Sequence, residues 1–184
     1  DGSLSPVELV SQIVKYNVEN FAVTDHHSTE SYPLIKTWLK NNSISTNRIR
    51  FWTGIEISCL LNGNLVHIIG LGFDYNSTHL SVYSKGESAV GCDLQANSVI
   101  DKIHKANGIA ILAHPARYKK SYKEVIYQAY LLNIDAIEVW YDYERSHEWN
   151  PSLYICDDIS KYTNSLNLFS SCGTDTHGLS ILRR

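Results

Sequence analysis

The stretch N-L-F-S-S-C-G-T-D-T-H-G at residues 167–178 decides the reading of this chain. It is a short, half-apolar strand that runs directly into Asp175-x-His177. Side chains two residues apart point the same way while a strand's alternation continues. A carboxylate and an imidazole are therefore presented side by side just past the strand end, which suits one metal cluster. Three other stretches repeat the pattern of an apolar strand followed at once by ligand-type residues. They are F-A-V-T-D-H at 21–26, W-T-G-I-E at 52–56 and I-A-I-L-A-H-P at 109–115. Four such junctions predict ligands gathered at one end of a sheet or barrel.

Between the junctions, helices and strands alternate. Ser5-Pro6-Val7-Glu8 predicts a capping box with Pro at the first helical position, and the helix runs to about Tyr16. Further helices are predicted over 29–40, from Asp93 as its cap to Asn107-Gly108, from Ser121 and Glu124 as a capping box to about Leu132, and over 151–164. His104 falls in the last turn of the Asp93 helix, where the helix dipole accounts for it. Strands are predicted at 21–24, 49–59, 109–113, 136–140 and 168–172, and the polar segment 75–91, with His79, reads as a loop. Asn62-Gly63 is a strong two-residue hairpin signal. It sets Leu61 opposite Asn64, Ser58 opposite His67 and Ile57 opposite Ile68. Glu56 and His67 then become diagonal neighbours on one face, roughly 7–8 Å apart or less at Cβ, a gap that a metal can bridge. The pattern predicts an α/β architecture with a mainly parallel sheet or barrel and a site at the C-terminal strand ends.

The 184 residues suffice for one domain with a sizeable core. The formal net charge is -3 and no basic run occurs, which argues against a large electrostatic nucleic-acid footprint. A short single strand of RNA at a metal site is compatible with this balance. Cys59, Cys92, Cys156 and Cys172 form no C-x-x-C pair, so a reduced compartment is expected, the cytoplasm or an organelle stroma. No apolar run approaches the ~20 residues that cross a bilayer, so no membrane partner is expected. Walker A, G-x-S-x-G and dinucleotide fingerprints are all missing.

The candidate ligands are Asp1, Asp25, His26, His27, Glu56, His67, His114, Asp175 and His177. Imidazoles mixed with carboxylates suit zinc, manganese or iron. Two such cations ~3.5–4 Å apart can activate a hydroxide and clamp a phosphoryl oxygen. In H-P-A-R-Y at 114–118 the proline turns the chain after His114 and leaves Arg117 beside the presumed metals. A guanidinium there can grip a phosphate through two parallel hydrogen bonds.

These residues resemble the PHP (polymerase and histidinol phosphatase) superfamily. The matching pieces, in family order, are D-G-S-L-S-P at 1–6, T-D-H-H at 24–27, G-I-E-I at 54–57, V-H-I-I-G at 66–70, A-H-P-A-R-Y at 113–118, I-E-V at 137–139 and G-T-D-T-H-G at 173–178. The chain is most similar to stand-alone members acting on nucleoside 3',5'-bisphosphates and short RNA 5' ends. The resemblance implies a single domain over 1–184, a distorted (β/α)7 barrel with a trinuclear site. In that scheme His26, His177 and Asp1 hold one metal and Glu56 bridges two others. His67 and His114 serve the second metal, and Asp175 the third. Arg117 contacts the substrate phosphate, Asp25 orients the neighbouring histidines, and His147 matches a histidine of the loop after I-E-V. His27 stands where the family often has Asp and takes no assigned role. Family members carry H-x-H shortly before the D-G-S-L-S-P element, so the given sequence is expected to be truncated at its start. The segment 71–108 lacks the pattern of the helical insertion found in exonuclease-type members, which favours a phosphatase over RNA trimming.

The implied function is hydrolysis of a phosphomonoester, of a small phosphorylated substrate such as a nucleotide, by a metal-activated hydroxide. The alternatives are a 5'-3' exoribonuclease on short RNA, a histidinol-phosphatase-like enzyme, and a non-catalytic metal- or nucleotide-binding relative.

Overall fold

The computed structural model describes residues 2–42 and 48–183. Helix α1 (Pro6–Lys15) begins as its sequence demands. The Glu8 N–H donates to Ser5 Oγ while the Ser5 N–H donates to the Glu8 carboxylate, and the helix buries Val10 and Ile13. Strand β1 (Asn20–Ala22) follows, then α2 (Ser31–Asn41), and β2 (Arg50–Trp52) pairs parallel to β1. The hairpin β3 (Gly54–Leu61) and β4 (Asn64–Leu71) has the predicted register, with Leu61 opposite Asn64, Ser58 opposite His67 and Ile57 opposite Ile68. Then come α3 (Ala96–Lys105), β5 (Ile109–Leu112), α4 (Tyr122–Tyr130), β6 (Ala136–Trp140), α5 (Leu153–Ser165) and β7 (Phe169–Cys172).

The sheets do not close into the barrel that the resemblance implies, while three of the five ladders are parallel as the pattern predicts. β1 and β2 form a two-stranded sheet, and β3-β4-β5-β6-β7 form a second sheet in that order. Both ladders of β4 are antiparallel, and only β5-β6 and β6-β7 are parallel within the larger sheet. An isolated parallel bridge between His26 and Glu56 joins the extension of β1 to β3. Among the described residues no ladder connects β7 to β1, so the sheets do not close. Instead the N-terminal segment lies against the end of the chain, where the Ser3 N–H donates to the His177 carbonyl at 3.0 Å.

The predicted strand 49–59 is in fact two strands in different sheets. Thr53 breaks it. Its hydroxyl donates to the Phe73 carbonyl at 2.7 Å and its carbonyl accepts the Gly72 N–H at 2.8 Å, so its hydrogen bonds leave the ladder. Gly54 then passes close to the β1 extension, where a Cβ would stand 2.5 Å from the Val23 carbonyl oxygen.

Two predicted caps are not made. Gln95 occupies the N-cap position of α3, and the Asp93 carboxylate accepts from Lys102 Nζ at 2.6 Å instead. Ser121 makes no side-chain cap to α4, and Glu124 pairs with Lys120. The segment 75–91 is a loop with a short 3-10 turn, yet it buries Leu80 and Tyr83 completely or nearly so.

The period of two within the hairpin sorts the core from the site. Ile55, Ile57 and Cys59 of β3 and Val66 and Ile68 of β4 are buried against Val99, Ile100 and Ile103 of α3 and Leu112, Ile137 and Val139 of the sheet. Each such fully buried side chain contributes about 1.5–3 kcal/mol. Glu56 and His67, out of phase with these, face the other way. No helix among the described residues is long and apolar enough to cross a membrane.

Candidate metal centre

Glu56 is the hub. It is 6% exposed, and three imidazoles from three segments converge on its carboxylate. His67 Nδ1 lies 2.8 Å and His114 Nε2 3.3 Å from Oε1, and His26 Nε2 lies 3.9 Å from Oε2. One ligand atom from each of His26, Glu56 and His67 fits within 4.8 Å of the others. Burial works to raise the Glu56 pKa. The hydrogen bonds from His114 and His67 outweigh it and hold the carboxyl well below the usual range, so Glu56 is ionised at neutral pH. Burial pushes the pKa values of His26 and His114 down, against the attraction of Glu56, and favours neutral imidazoles.

The backbone explains how these groups meet. Beyond β1 the chain continues beside β3, with the Glu56 N–H donating to the Asp25 carbonyl at 3.1 Å and the His27 N–H to the Glu56 carbonyl at 2.9 Å. His26 is thereby held level with Glu56. His67 reaches Glu56 across the hairpin. Its N–H donates to the Tyr118 hydroxyl at 2.9 Å, and that hydroxyl donates in turn to the Ala113 carbonyl. Burial raises the Tyr118 phenol well above its ordinary pKa and keeps it a donor. His114, just past β5, has φ 29° and ψ 60°, a conformation rare for a side chain with a Cβ.

A second group lies beside the first. Asp175, with φ 48°, accepts Arg117 Nη1 at 2.8 Å and the Tyr141 hydroxyl at 2.6 Å. The Arg117 guanidinium also rests over the Tyr141 ring, whose centroid is 5.5 Å from that of His114. His177 is exposed, its Nδ1 2.9 Å from the Asp175 carbonyl oxygen and its ring 6.3 Å from His26.

Of the predicted residues, His26, Glu56, His67 and His114 come together, with Asp175, His177 and Arg117 around them. Asp25 stands next to His26 and contributes its carbonyl as described. Asp1 lies outside the described residues. His147 is exposed and meets the Arg183 guanidinium, with 2.6 Å between Nε2 and Nη2. The unassigned His27 is buried, and its Nε2 accepts the Ser58 N–H at 3.2 Å, a structural partnership.

Three neighbours escaped the sequence reading. Tyr118 and Tyr141 act through partners distant in sequence. Glu138 carried a signal, since a carboxylate inside the apolar run A-I-E-V-W is costly to bury. It is 3% exposed, and its Oε2 accepts the His114 N–H at 2.7 Å. Burial pushes its pKa up to about 8 against that bond.

The cluster suits a divalent cation. Buried Nδ1 atoms of His26 and His114 have no hydrogen-bond partner among the described residues, and the nitrogen and oxygen donors match zinc, manganese and iron.

No protein-family model matches the chain. Among solved structures it is similar over 97% of its length to an amidohydrolase from Chromobacterium violaceum with bound sulfate, at TM-score 0.77 and 19% identity, covering 84% of that chain. A structure from Bifidobacterium adolescentis assigned as a metal-dependent phosphoesterase matches at TM-score 0.75 and 16% identity, with the same coverage of both chains. A two-domain protein of Bacteroides vulgatus containing an assigned PHP-like metal-dependent phosphoesterase matches at TM-score 0.65 and 14% identity, over 97% of this chain and 49% of that one. The chain shares the fold of these structures. In sequence, the chain is 34% identical over 74 residues to the 5'-3' exoribonuclease Rnm of Salmonella typhimurium, covering 40% of this chain and 24% of that protein. It is 29% identical over 131 residues to a 5'-3' exoribonuclease of Haemophilus influenzae, covering 64% of this chain and 46% of that protein. The chain thus spans from about a quarter to about half the length of these relatives.

Proposed function

We propose that this chain is a metal-dependent phosphoesterase acting on a phosphorylated nucleotide, a 3',5'-bisphosphate in the first instance. The observation that carries the reading is the convergence of His26, His67 and His114 on one buried, ionised Glu56. These four residues would hold divalent cations, with Asp175 and His177 supplying further donors. Manganese, zinc or iron bound there would supply Lewis acidity and lower the pKa of a bound water.

The chain's own residues do the rest. Glu56 keeps its negative charge at neutral pH and so favours cations at this point. Arg117, a third exposed and held by Asp175 and Tyr141, presents its remaining N–H groups toward a phosphate. Tyr118 and the hairpin keep His67 aimed. All four cysteines are free thiols, which supports our placing the chain in a reduced compartment such as the cytoplasm or an organelle stroma.

A second reading is favoured by the similarity to 5'-3' exoribonucleases: the same centre trimming short RNA from its 5' end. The test measures phosphate release from adenosine 3',5'-bisphosphate and nucleotide release from a 5'-phosphorylated oligoribonucleotide, both with manganese. Release from the bisphosphate alone supports the first reading. Release from RNA alone transfers the function to the second, and inactivity on both ends the phosphoesterase proposal. In the active assay, Arg117→Ala should raise KM by about 10-fold or more, the ~1.5–3 kcal/mol of a charge-assisted hydrogen bond, with a smaller change in kcat. An unchanged KM would remove Arg117 from the phosphate.

A further inference from the structure

We infer that Glu138 is a positioning residue of this centre: its carboxyl group fixes the backbone of His114, and through it the direction of that imidazole. The inference rests on reading His114 as a metal-holding residue.

The sheet leaves His114 in need of such a partner. The Ala113 N–H still donates to the His67 carbonyl at 3.1 Å, but one residue later the chain turns out of the ladder. Pro115 disfavours the helical region for His114, which adopts φ 29° and ψ 60°. Conformations of this kind persist only where the surroundings over-determine them. Turned away from the strand, the His114 N–H is buried and requires an acceptor. Glu138 Oε2 supplies it at 2.7 Å from the neighbouring strand β6.

The rest of the local structure makes room for that carboxylate. At the end of β7 a Cβ on Gly173 would stand inside the Glu138 carboxylate, so the position accepts only glycine while Glu138 keeps its place. Gly173 is itself clamped, its N–H donating to the Trp140 carbonyl at 3.2 Å and its carbonyl accepting Trp149 Nε1 at 2.9 Å. No cationic side chain of the described residues lies within salt-bridge distance of Glu138. A carboxylate buried without a counter-charge is expensive. Among the described residues its hydrogen bond is to the His114 backbone, and that bond is what the placement provides. The imidazole so directed meets Glu56 at 3.3 Å.

The experiment is a calorimetric titration of manganese into the wild-type chain, Glu138→Gln, Glu138→Leu and Gly173→Ala, with melting temperatures of each in EDTA. Glutamine keeps the size and an acceptor, and leucine fills the space without one. Groups that orient metal ligands cost 10- to 100-fold in affinity when lost, so Glu138→Leu should bind manganese about 10- to 100-fold more weakly and Glu138→Gln within about threefold of wild type. Gly173→Ala, which displaces the carboxylate without removing it, should weaken binding as Glu138→Leu does, and it carries the test if Glu138→Leu does not fold. A Glu138→Leu or Gly173→Ala variant that melts lower but binds manganese as wild type does would reduce Glu138 to a structural residue and overturn the inference. So would a folded Glu138→Gln variant with the full loss. Wild-type protein that takes up no manganese overturns this inference together with the metal reading. Uptake by wild type and all variants alike overturns this inference only.

Discussion

His67 meets Glu56 at 2.8 Å and His104 meets Asp135 at 2.7 Å, the first pair toward the end of β5 and the second near its start. As hydrogen bonds the two are alike. The carboxylates differ in what else they hold. Asp135 Oδ2 also accepts the Ala110 N–H at 2.7 Å, its own N–H donates to the Ala110 carbonyl, and its carbonyl accepts the Phe169 N–H. It therefore staples β5, β6 and β7 by their backbones, with the His104 side chain of α3 as one more tie. Among the described residues the Glu56 side chain meets imidazoles alone, from β4, from the turn after β5 and from the extension of β1. A carboxylate satisfied by backbone belongs to the scaffold. One surrounded by several side-chain donors, two of them with a buried nitrogen that has no partner among the described residues, marks a candidate site.

The strongest way to break this contrast is to remove Glu56. Glu56→Ala should lower both manganese uptake and phosphate release by at least about 100-fold, ~2.7 kcal/mol in transition-state terms. Calorimetry and a phosphate assay read the two effects separately. If uptake and turnover stayed at wild-type values, the histidines would be a packing cluster like the one at Asp135.

Asp135→Ala should do the converse. It strands the Ala110 N–H and the His104 imidazole, and a buried group left without its partner costs about 1–3 kcal/mol. At roughly 2–4 °C per kcal/mol for a chain of this size, the melting temperature should drop by several degrees. Manganese affinity should stay within about twofold of wild type, since sites this separate are usually additive. A matching loss of affinity would mean that the two ends of β5 are coupled and that the contrast is false.

The sequence made one of these pairs readable and hid the other. Asn62-Gly63 fixes the hairpin loop, the loop fixes the register, and a period of two then places Glu56 and His67 on one face. Each step is local. His104 reads as a helix-dipole contact because its partner is 31 residues away and announced by no pattern. The break at Thr53 is hidden for the same reason: the run 49–59 is uniformly strand-like, and the hydroxyl that ends it bonds to Phe73. Asp93 resembles a helix cap until Lys102, about two turns into the helix, takes its carboxylate. Tyr118, Tyr141 and Glu138 became visible only through tertiary contacts, although a glutamate in the middle of A-I-E-V-W was a warning. Closure of the barrel, taken from the family resemblance, is where the fold departs from the expectation.

The smallest effect sharpens the comparison by titration. Glu138 is a buried carboxyl whose pKa is pushed up to about 8 from an unfolded value near 4.5. The folded chain therefore keeps a proton that the unfolded chain releases. Its contribution is fully present below pH ~4.5 and is lost as pH rises toward 8, with a limiting slope of about 1.4 kcal/mol per pH unit. His26 and His114 act in the opposite sense. Burial lowers their folded values below 6.5, so the unfolded chain takes up protons first, and their contribution is lost as pH falls below 6.5. Between pH 6.5 and 8 only the Glu138 contribution of these three changes steeply. Urea unfolding in EDTA across that window should show stability falling as pH rises, and Glu138→Gln should flatten the fall. Coincident slopes for wild type and Glu138→Gln would show that the carboxyl is already ionised in the folded chain. Glu138 would then be a charged member of the site region and not a neutral prop for His114.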